Sequence, residues 1–335
     1  MVLCEKSSHI KFATFIKSTN VFYVILNRYY FFIHLSQTSE MLSILIPTYN
    51  YNVLPLVQKL QKLANCENIA FEIIVLDDAS TDSISIAENQ KINQLEHCMY
   101  ELLKKNIGRS RMRNLLAKKA KYEWLLFLDA DTLPIHDNFI SVYLPHLDQE
   151  EKVVYGGIKY QEEKPSDDKL LRWVYGNSRE ALLAEQRQKA PHLSLLTLNF
   201  AISKSIFSKV TFNESIPNLR HEDTLFSYDL SVEKVTVEHI ENPVYHLGLE
   251  SSEIFMKKSE ESVVGLKYLT DNNLLPQSYT RIAKIHNSIR KSGLAPLARL
   301  SFKIVKRSFN KNLLGSNPSL FIFDLYRLGY LCSLK

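Results

Sequence analysis

Two carboxylates one residue apart, Asp129 and Asp131, follow the apolar run Trp124 to Leu128 in WLLFLDADTLP. A run of that length reads as a buried strand, which sets both acids at its carboxyl tip. Carboxyl tips are where open α/β sheets bind their ligands. Acids this close repel one another unless a cation lies between them, and Mg²⁺ or Mn²⁺ is typically held by one or two carboxylates together with substrate phosphates. A lone D-x-D also occurs as a solvated acidic turn, here closed by Pro134, so its meaning depends on what else reaches the same edge.

Two other polar groups end strands in the same way. Ser43 to Ile46 runs into Pro47-Thr48-Tyr49-Asn50, and Phe71 to Leu76 runs into Asp77-Asp78. Helical spacing separates the strands: Leu56, Leu60 and Leu63 share one face of Val53 to Leu63, and a weaker helix spans about Ile84 to Leu95. Cys98 to Leu102 is a third strand, and Ser110 caps a helix carrying Met112, Leu115, Leu116 and Ala120. Strands alternating with helices imply right-handed crossovers and a largely parallel sheet, so the three polar tips gather at one edge. The first glycine is Gly108, which excludes a glycine-rich dinucleotide loop or a Walker loop after either early strand. A diphosphate bound at this edge is held by metal and side chains.

A chain of 335 residues is long enough for one large domain or two ordinary ones. Cys4, Cys66, Cys98 and Cys332 have neither C-x-x-C nor zinc-site spacing, which points to plain thiols in a reducing compartment. From Arg281 to Lys335 there are 11 Lys and Arg against one acid, Asp324, so the overall charge of +5 resides in the tail and residues 1–280 carry −5. Residues 1–40 stand apart from the pattern. Their apolar run Val21 to Leu35 is shorter than the roughly 20 residues that span a bilayer, carries Asn27 and Arg28, and precedes no small-residue cleavage site. Met41, just before the first strand, is the expected working start; the alternative is a membrane-associating arm.

The segments ILIPTYN, IIVLDDASTD, NIGRSRMRN and FLDADTLP, in this order and spacing, resemble the family 2 glycosyltransferases, and LNFAISKSIF and HEDTLFSYDL extend the resemblance to about residue 270. It implies an α/β, GT-A fold: a Rossmann-like, mostly parallel central sheet flanked by helices, here with a helical C-terminal extension. Residues 41–135 would form the nucleotide-sugar half, 136–270 the acceptor half and 271–335 a basic amphipathic helical tail. Pro47, Thr48, Tyr49 and Asp78 would contact the base and ribose of a nucleotide sugar, most often a UDP-sugar. Arg113 would lie near the nucleotide, Asp129 near the ribose and a Mn²⁺ or Mg²⁺ ion, and Asp131 on that ion. His246 would complete the metal shell, since His239 lies inside a strand pattern.

In HEDT the resemblance makes Asp223 the general base of an inverting transfer and Glu222 its helper; without it, acids opening a helix at about Asp223 serve equally as dipole partners. Asn199, which breaks the apolar strand Leu195 to Ile202, would line the sugar pocket. Trp173, on a helix expected from about Lys169 to Gln188, would face the acceptor or join a buried aromatic face. The Tyr49-Asn50 pair reads equally as a turn capping the next helix.

The expected acceptor is a saccharide or lipid-linked saccharide, with no nucleic-acid partner. The expected setting is surface polysaccharide synthesis at the cytoplasmic face of the membrane. Leu294 to Phe309 and Ser319 to Cys332 read as basic amphipathic helices that either touch anionic lipid or pack on the catalytic domain. Two rivals stand beside this reading. LLFLDADT also resembles the strand end of haloacid-dehalogenase-type phosphatases, with Asp129 as nucleophile, although that strand normally opens its domain and here three precede it. A non-catalytic nucleotide- or glycan-binding module is the other.

Overall fold

The computed structural model describes residues 41–148 and 151–334. Both expectations for residues 1–40 lie outside these. Seven strands form the main sheet: β1 (Met41–Thr48), β2 (Ala70–Asp77), β3 (Cys98–Leu102), β4 (Trp124–Leu128), β6 (Lys152–Tyr155), β8 (Asn199–Ser203) and β9 (Thr236–His239). Their spatial order is β3-β2-β1-β4-β8-β6-β9, with only β8 antiparallel to its neighbours. The short β5 (Thr132–Pro134), β7 (Ile158–Lys159) and β10 (Val244–His246) form a second sheet ordered β5-β10-β7.

Register explains why the polar tips meet. Leu42 to Leu45 of β1 lie beside Trp124 to Phe127 of β4, and Thr48 lies beside Asp77 of β2. Parallel strands in such register end together, so Pro47 to Asn50, Asp77-Asp78 and Asp129 to Asp131 share one edge. All five residues of β4 are buried, each apolar side chain contributing on the order of 1.5–3 kcal/mol.

Helices α1 (Leu54–Asn65), α2 (Ser83–Gln90) and α3 (Arg109–Lys119) cross between the first four strands. Further along come α4 (Phe139–Tyr143), α5 (Leu170–Tyr175), α6 (Ala184–Arg187), α7 (Lys204–Lys209) and α8 (Glu222–Val232). Helix α1 buries Leu56, Leu60 and Leu63 against one sheet face, and α3 buries Met112 and Leu116 against the other. Helix α3 starts two residues earlier than a Ser110 cap implies: Gly108, at φ +83°, leads into Arg109, and Ser110 sits inside the first turn. The single helix expected from Lys169 to Gln188 is broken. A π turn at Gly176–Glu180 separates α5 from α6, and Tyr160 packs where a side chain on Gly176 would stand.

The last four helices are α9 (Ser252–Asp271), α10 (Arg281–Lys291), α11 (Ala295–Leu313) and α12 (Leu320–Ser333). Phe302, Leu313, Phe323 and Tyr326 from α11 and α12 join Leu171 of α5 and Met256 of α9 in one apolar cluster, so the C-terminal helices pack on α5 and α9. Among the described residues no helix is long and apolar enough to cross a membrane.

Behind the sheet edge, Arg187 is buried and donates to the carbonyls of Tyr155, Leu182 and Ile240 at 2.9 to 3.2 Å. Its Nη1 also faces His239 Nδ1 at 3.1 Å, while His239 Nε2 meets the Pro191 carbonyl at 3.0 Å. A ring that accepts from arginine and donates to a carbonyl is neutral. Burial, with Arg187 adding to it, holds the His239 pKa down at about 4, and burial does the same to His221. The unfolded chain therefore takes up protons near pH 6.5 that the folded chain refuses, and stability falls as pH drops from about 6.5 toward 4. At pH 5 the loss from His239 reaches about 2 kcal/mol, or a few degrees of Tm. Asp229, raised by burial to about 6, acts in the opposite sense below that pH. Thermal melts between pH 7 and 5 should show a shallower decline in His239→Gln, whose amide still donates and accepts; identical slopes would mean that His239 does not carry the effect.

Candidate active site

The turn after β1 is wired to the turn after β2. Asn50, at φ +49°, accepts from Thr81 N and Asp82 N at 2.8 and 3.1 Å, and its own N–H donates to Ser80 Oγ at 2.7 Å. Asn50 thus joins two loops, and the cap on α1 comes instead from Asn52, which accepts from Leu54 N. Thr48 is buried, Pro47 is half-buried, and Tyr49 stands 52% exposed beside them. An exposed aromatic ring at a ligand-binding edge is a surface on which a flat base can stack.

Both acids at the β2 tip are committed to structure. Asp77 is fully buried and accepts from Ser80 N and from the Tyr100 hydroxyl at 2.8 and 2.7 Å. Asp78 accepts from Ile107 N and Gly108 N at 2.6 and 3.0 Å, so its carboxylate braces the loop into α3. That loop sets Arg109 and Arg113, four residues apart on one helical face, against the acids.

Arg113 is the junction of the site. Its side chain is 6% exposed; Nη2 donates to Asp129 Oδ1 at 2.8 Å, and Nη1 lies 3.8 Å from Glu222 Oε1. Arg109 Nε stands 2.8 Å from the same Glu222 oxygen. Burial opposes charge on Arg113, but Asp129, Glu222 and Asp223 outweigh it and raise its pKa. Burial also raises Asp129, with Asp131 adding to it and Arg113 pulling the other way. Arg113 Nε and Nη1 are buried without a hydrogen-bond partner.

On the other side of Asp129 the turn closes through Thr132, whose N–H and hydroxyl both donate to the Asp129 carbonyl. Asp131 then sits against β10. Its carbonyl accepts from Leu247 N at 2.8 Å, and its Oδ2 lies 3.4 Å from His246 Nε2. A Cβ on Gly248 would collide with that carboxylate, so only glycine lets the backbone come so close. His246 Nδ1 is buried and has no partner. Tyr51 is near enough that Asp131, after burial, helps raise its hydroxyl pKa. Among the described residues no three acidic, His or Cys groups converge to hold a metal unaided. Asp131 and His246 fit a divalent cation as two protein ligands, with a diphosphate supplying others.

The opening of α8 is strained. Arg220 and His221 both have positive φ, +69° and +71°, costly for residues with a Cβ. His221 is anchored by Thr224 Oγ1 at 2.9 Å and Ser262 Oγ at 2.8 Å. The turn presents Glu222 to the arginines and turns Asp223 toward a cavity of about 320 Å³, lined also by Glu250, Phe255, Lys258 and Tyr175. Asp223 Oδ1 accepts from Thr224 N at 2.7 Å.

Two expected pocket residues lie elsewhere. Asn199 is fully buried: it donates to the carbonyls of Gly157 and Asn242 and accepts from the Tyr143 hydroxyl, so it has no atom left for a sugar. Trp173 donates its indole N–H to the Gln161 carbonyl at 2.9 Å and does not line the cavity beside Asp223, whereas Tyr175 does. Arg109, which sequence reasoning missed, had a signal in its four-residue offset from Arg113. Asp129, the nucleophile of the phosphatase reading, has one carboxylate oxygen held by Arg113 at 2.8 Å.

A mostly parallel sheet gathers acids at its carboxyl edge, an antiparallel β8 lies beyond β4, and helices cover both faces. These features define a GT-A fold. A mannosyltransferase structure from Pyrobaculum calidifontis, PcManGT with GDP-Man and Mn²⁺, shares this fold at 12% identity and TM-score 0.51, covering 87% of this chain and 85% of that one. Residues 43–211 match the family described as Glycosyl transferase family 2, and the chain belongs to it. An uncharacterized glycosyltransferase of Rickettsia bellii (strain RML369-C) is 32% identical over 119 residues, 36% of this chain and 16% of that protein. The poly(ribitol-phosphate) β-N-acetylglucosaminyltransferase TarS of Staphylococcus aureus (strain Mu50) is 27% identical over 157 residues, 46% of this chain and 24% of TarS. The chain thus spans less than a quarter of the length of these curated relatives. The Glu222-Asp223 pair lies beyond the family match.

Proposed function

We propose that this chain moves a sugar from a nucleotide-sugar donor, foremost a UDP-sugar, to a hydroxyl of a saccharide or lipid-linked saccharide, inverting the anomeric centre. The observation that carries this is the junction at Arg113, where the D-x-D and Glu-Asp acids from opposite halves meet within one site. TarS, named for β-N-acetylglucosaminyl transfer to poly(ribitol-phosphate), supports transfer to a polymeric acceptor, and we read the setting as surface polysaccharide synthesis.

Tyr49 stacks on the base, with Pro47 and Thr48 shaping the floor beneath it. Asp78 acts through the loop it braces. Asp131, His246 and the outer side of Asp129 hold Mn²⁺ or Mg²⁺, which when bound neutralises the departing diphosphate. Arg113 keeps Asp129 in place. As the anomeric carbon gains oxocarbenium character, Asp223 takes the proton of the acceptor hydroxyl on the opposite face, a role worth roughly 10²–10⁴ in rate. Glu222, fixed by Arg109, keeps the α8 turn in register.

The same reading sets the enzyme at the cytoplasmic membrane surface. Leu297, Leu300, Ile304, Arg307 and Lys311 recur at three- and four-residue spacing on the exposed side of α11, opposite buried Phe302 and Leu313. An apolar ridge with basic neighbours suits anionic lipid. The test is nucleoside diphosphate release across a donor panel, with and without saccharide acceptors, alongside sedimentation with anionic and neutral vesicles. Acceptor-stimulated release with one donor, and salt-sensitive binding to anionic vesicles only, are the expected results. UDP binding with no turnover would leave a binding module, and equal binding to both vesicles, or none to either, would remove the attachment to anionic lipid.

A further inference from the structure

The cavity holding Asp223 does not end at α8. Tyr175, His221 and Arg327 line it and also line a second cavity of about 380 Å³, between α10 and α12. The two share a wall, and the second has a different character. Ile282, Ile285, Phe321, Leu325 and Leu328 make it apolar, while Arg281 and Arg327 add positive charge. Its apolar residues are open to the outside: Phe321 is 71% exposed, and Ile285 and Leu325 are each 38% exposed.

The cations are not equivalent. Arg179 is paired with Asp324 at 2.9 Å. Arg327 packs its guanidinium over Phe323, and its Nε is buried with no hydrogen-bond partner. It lines both cavities, so it lies between the apolar residues and Asp223. An open apolar trough beside an incompletely satisfied guanidinium is complementary to a molecule with an apolar chain and an anionic head.

We propose that this second cavity is an acceptor subsite for a phosphate-bearing lipid. The chain lies against Phe321, Leu325, Ile282 and Ile285, the phosphate meets Arg327, and the attached glycan reaches through the shared wall to Asp223. This rests on the reading of Asp223 as the residue facing the acceptor, and it selects the lipid-linked class of acceptor over a free saccharide. The ligand's charge is what separates it from a plain hydrocarbon, and its chain is what separates it from free phosphate.

The experiment is a calorimetric titration of the full chain with farnesyl diphosphate, below its aggregation concentration, beside farnesol and inorganic pyrophosphate. Farnesyl diphosphate should bind at least tenfold more tightly than either. Ile285→Ser and Leu325→Ser, at part-exposed positions, should each weaken it about tenfold, as should Arg327→Gln, with melting temperature and UDP affinity unchanged. UDP with Mn²⁺ should not displace it. Pyrophosphate binding as tightly as the lipid, indifference to both serine substitutions, or displacement by UDP would each overturn the proposal. UDP binding and transfer to a water-soluble acceptor, measured on the same samples, report on the transferase reading separately. Intact transfer without lipid binding removes this subsite alone, and absent UDP binding removes the transferase reading.

Discussion

Asp223→Asn lowers kcat at least about a hundredfold while the donor KM moves little. The substitution keeps the shape of the side chain and one oxygen to accept from Thr224 N, so the α8 turn is retained. What it removes is the capacity to take a proton, which matters only as the acceptor oxygen attacks. The measurement is steady-state turnover at saturating donor and acceptor, with UDP affinity as the control. Glu222→Gln is milder in chemistry but loosens the grip of Arg109 and Arg113, so its melting temperature should fall as well. Near-normal kcat in Asp223→Asn would remove the inverting mechanism even with UDP binding intact.

The second large effect is at Asp131. Asp131→Asn should abolish turnover and the metal-dependent part of UDP affinity together, because the carboxylate carries most of the negative charge offered to a cation there. His246→Ala should shift the metal titration several-fold and leave turnover measurable at high Mn²⁺. Titration of UDP with and without Mn²⁺ separates the two. Unchanged metal dependence in His246→Ala would make the ring a packing partner of Tyr160, whose ring centroid lies 5.5 Å away. A phosphatase would give another ranking, with Asp129→Asn fatal and Asp223→Asn tolerated.

The sheet was readable because its code is local. A strand such as WLLFL ends where its apolar run ends, and polar tips on parallel strands must converge. Arg113, Asp129 and Glu222 come together in space, from segments far apart in the chain. What escaped notice depends on neighbours distant in the chain. Asn199 breaks an apolar pattern, a mark shared by ligand contacts and buried struts; only the carbonyls of Gly157 and Asn242 decide between them. The bracing of the α3 loop by Asp78 is hidden in the same way, since backbone donors at Ile107 and Gly108 leave no trace in side-chain chemistry. Trp173 and Tyr175 lie on one helix, and only its packing decides that Tyr175 lines the cavity while Trp173 bonds Gln161.

The small sheet of β5, β10 and β7 bears on the cost of assembling the proposed metal site. Asp131 immediately precedes β5, His246 ends β10, and His246 is laddered directly to Thr132. Arg187 staples the ends of β6 and β9, which lead into the other two strands of that sheet. Asp131 and His246 therefore ride on one hydrogen-bonded plate with no loop between them to freeze. The disorder surrendered in bringing them together is lost when the chain folds, so the cation capture proposed for this edge would need no further ordering of these two residues.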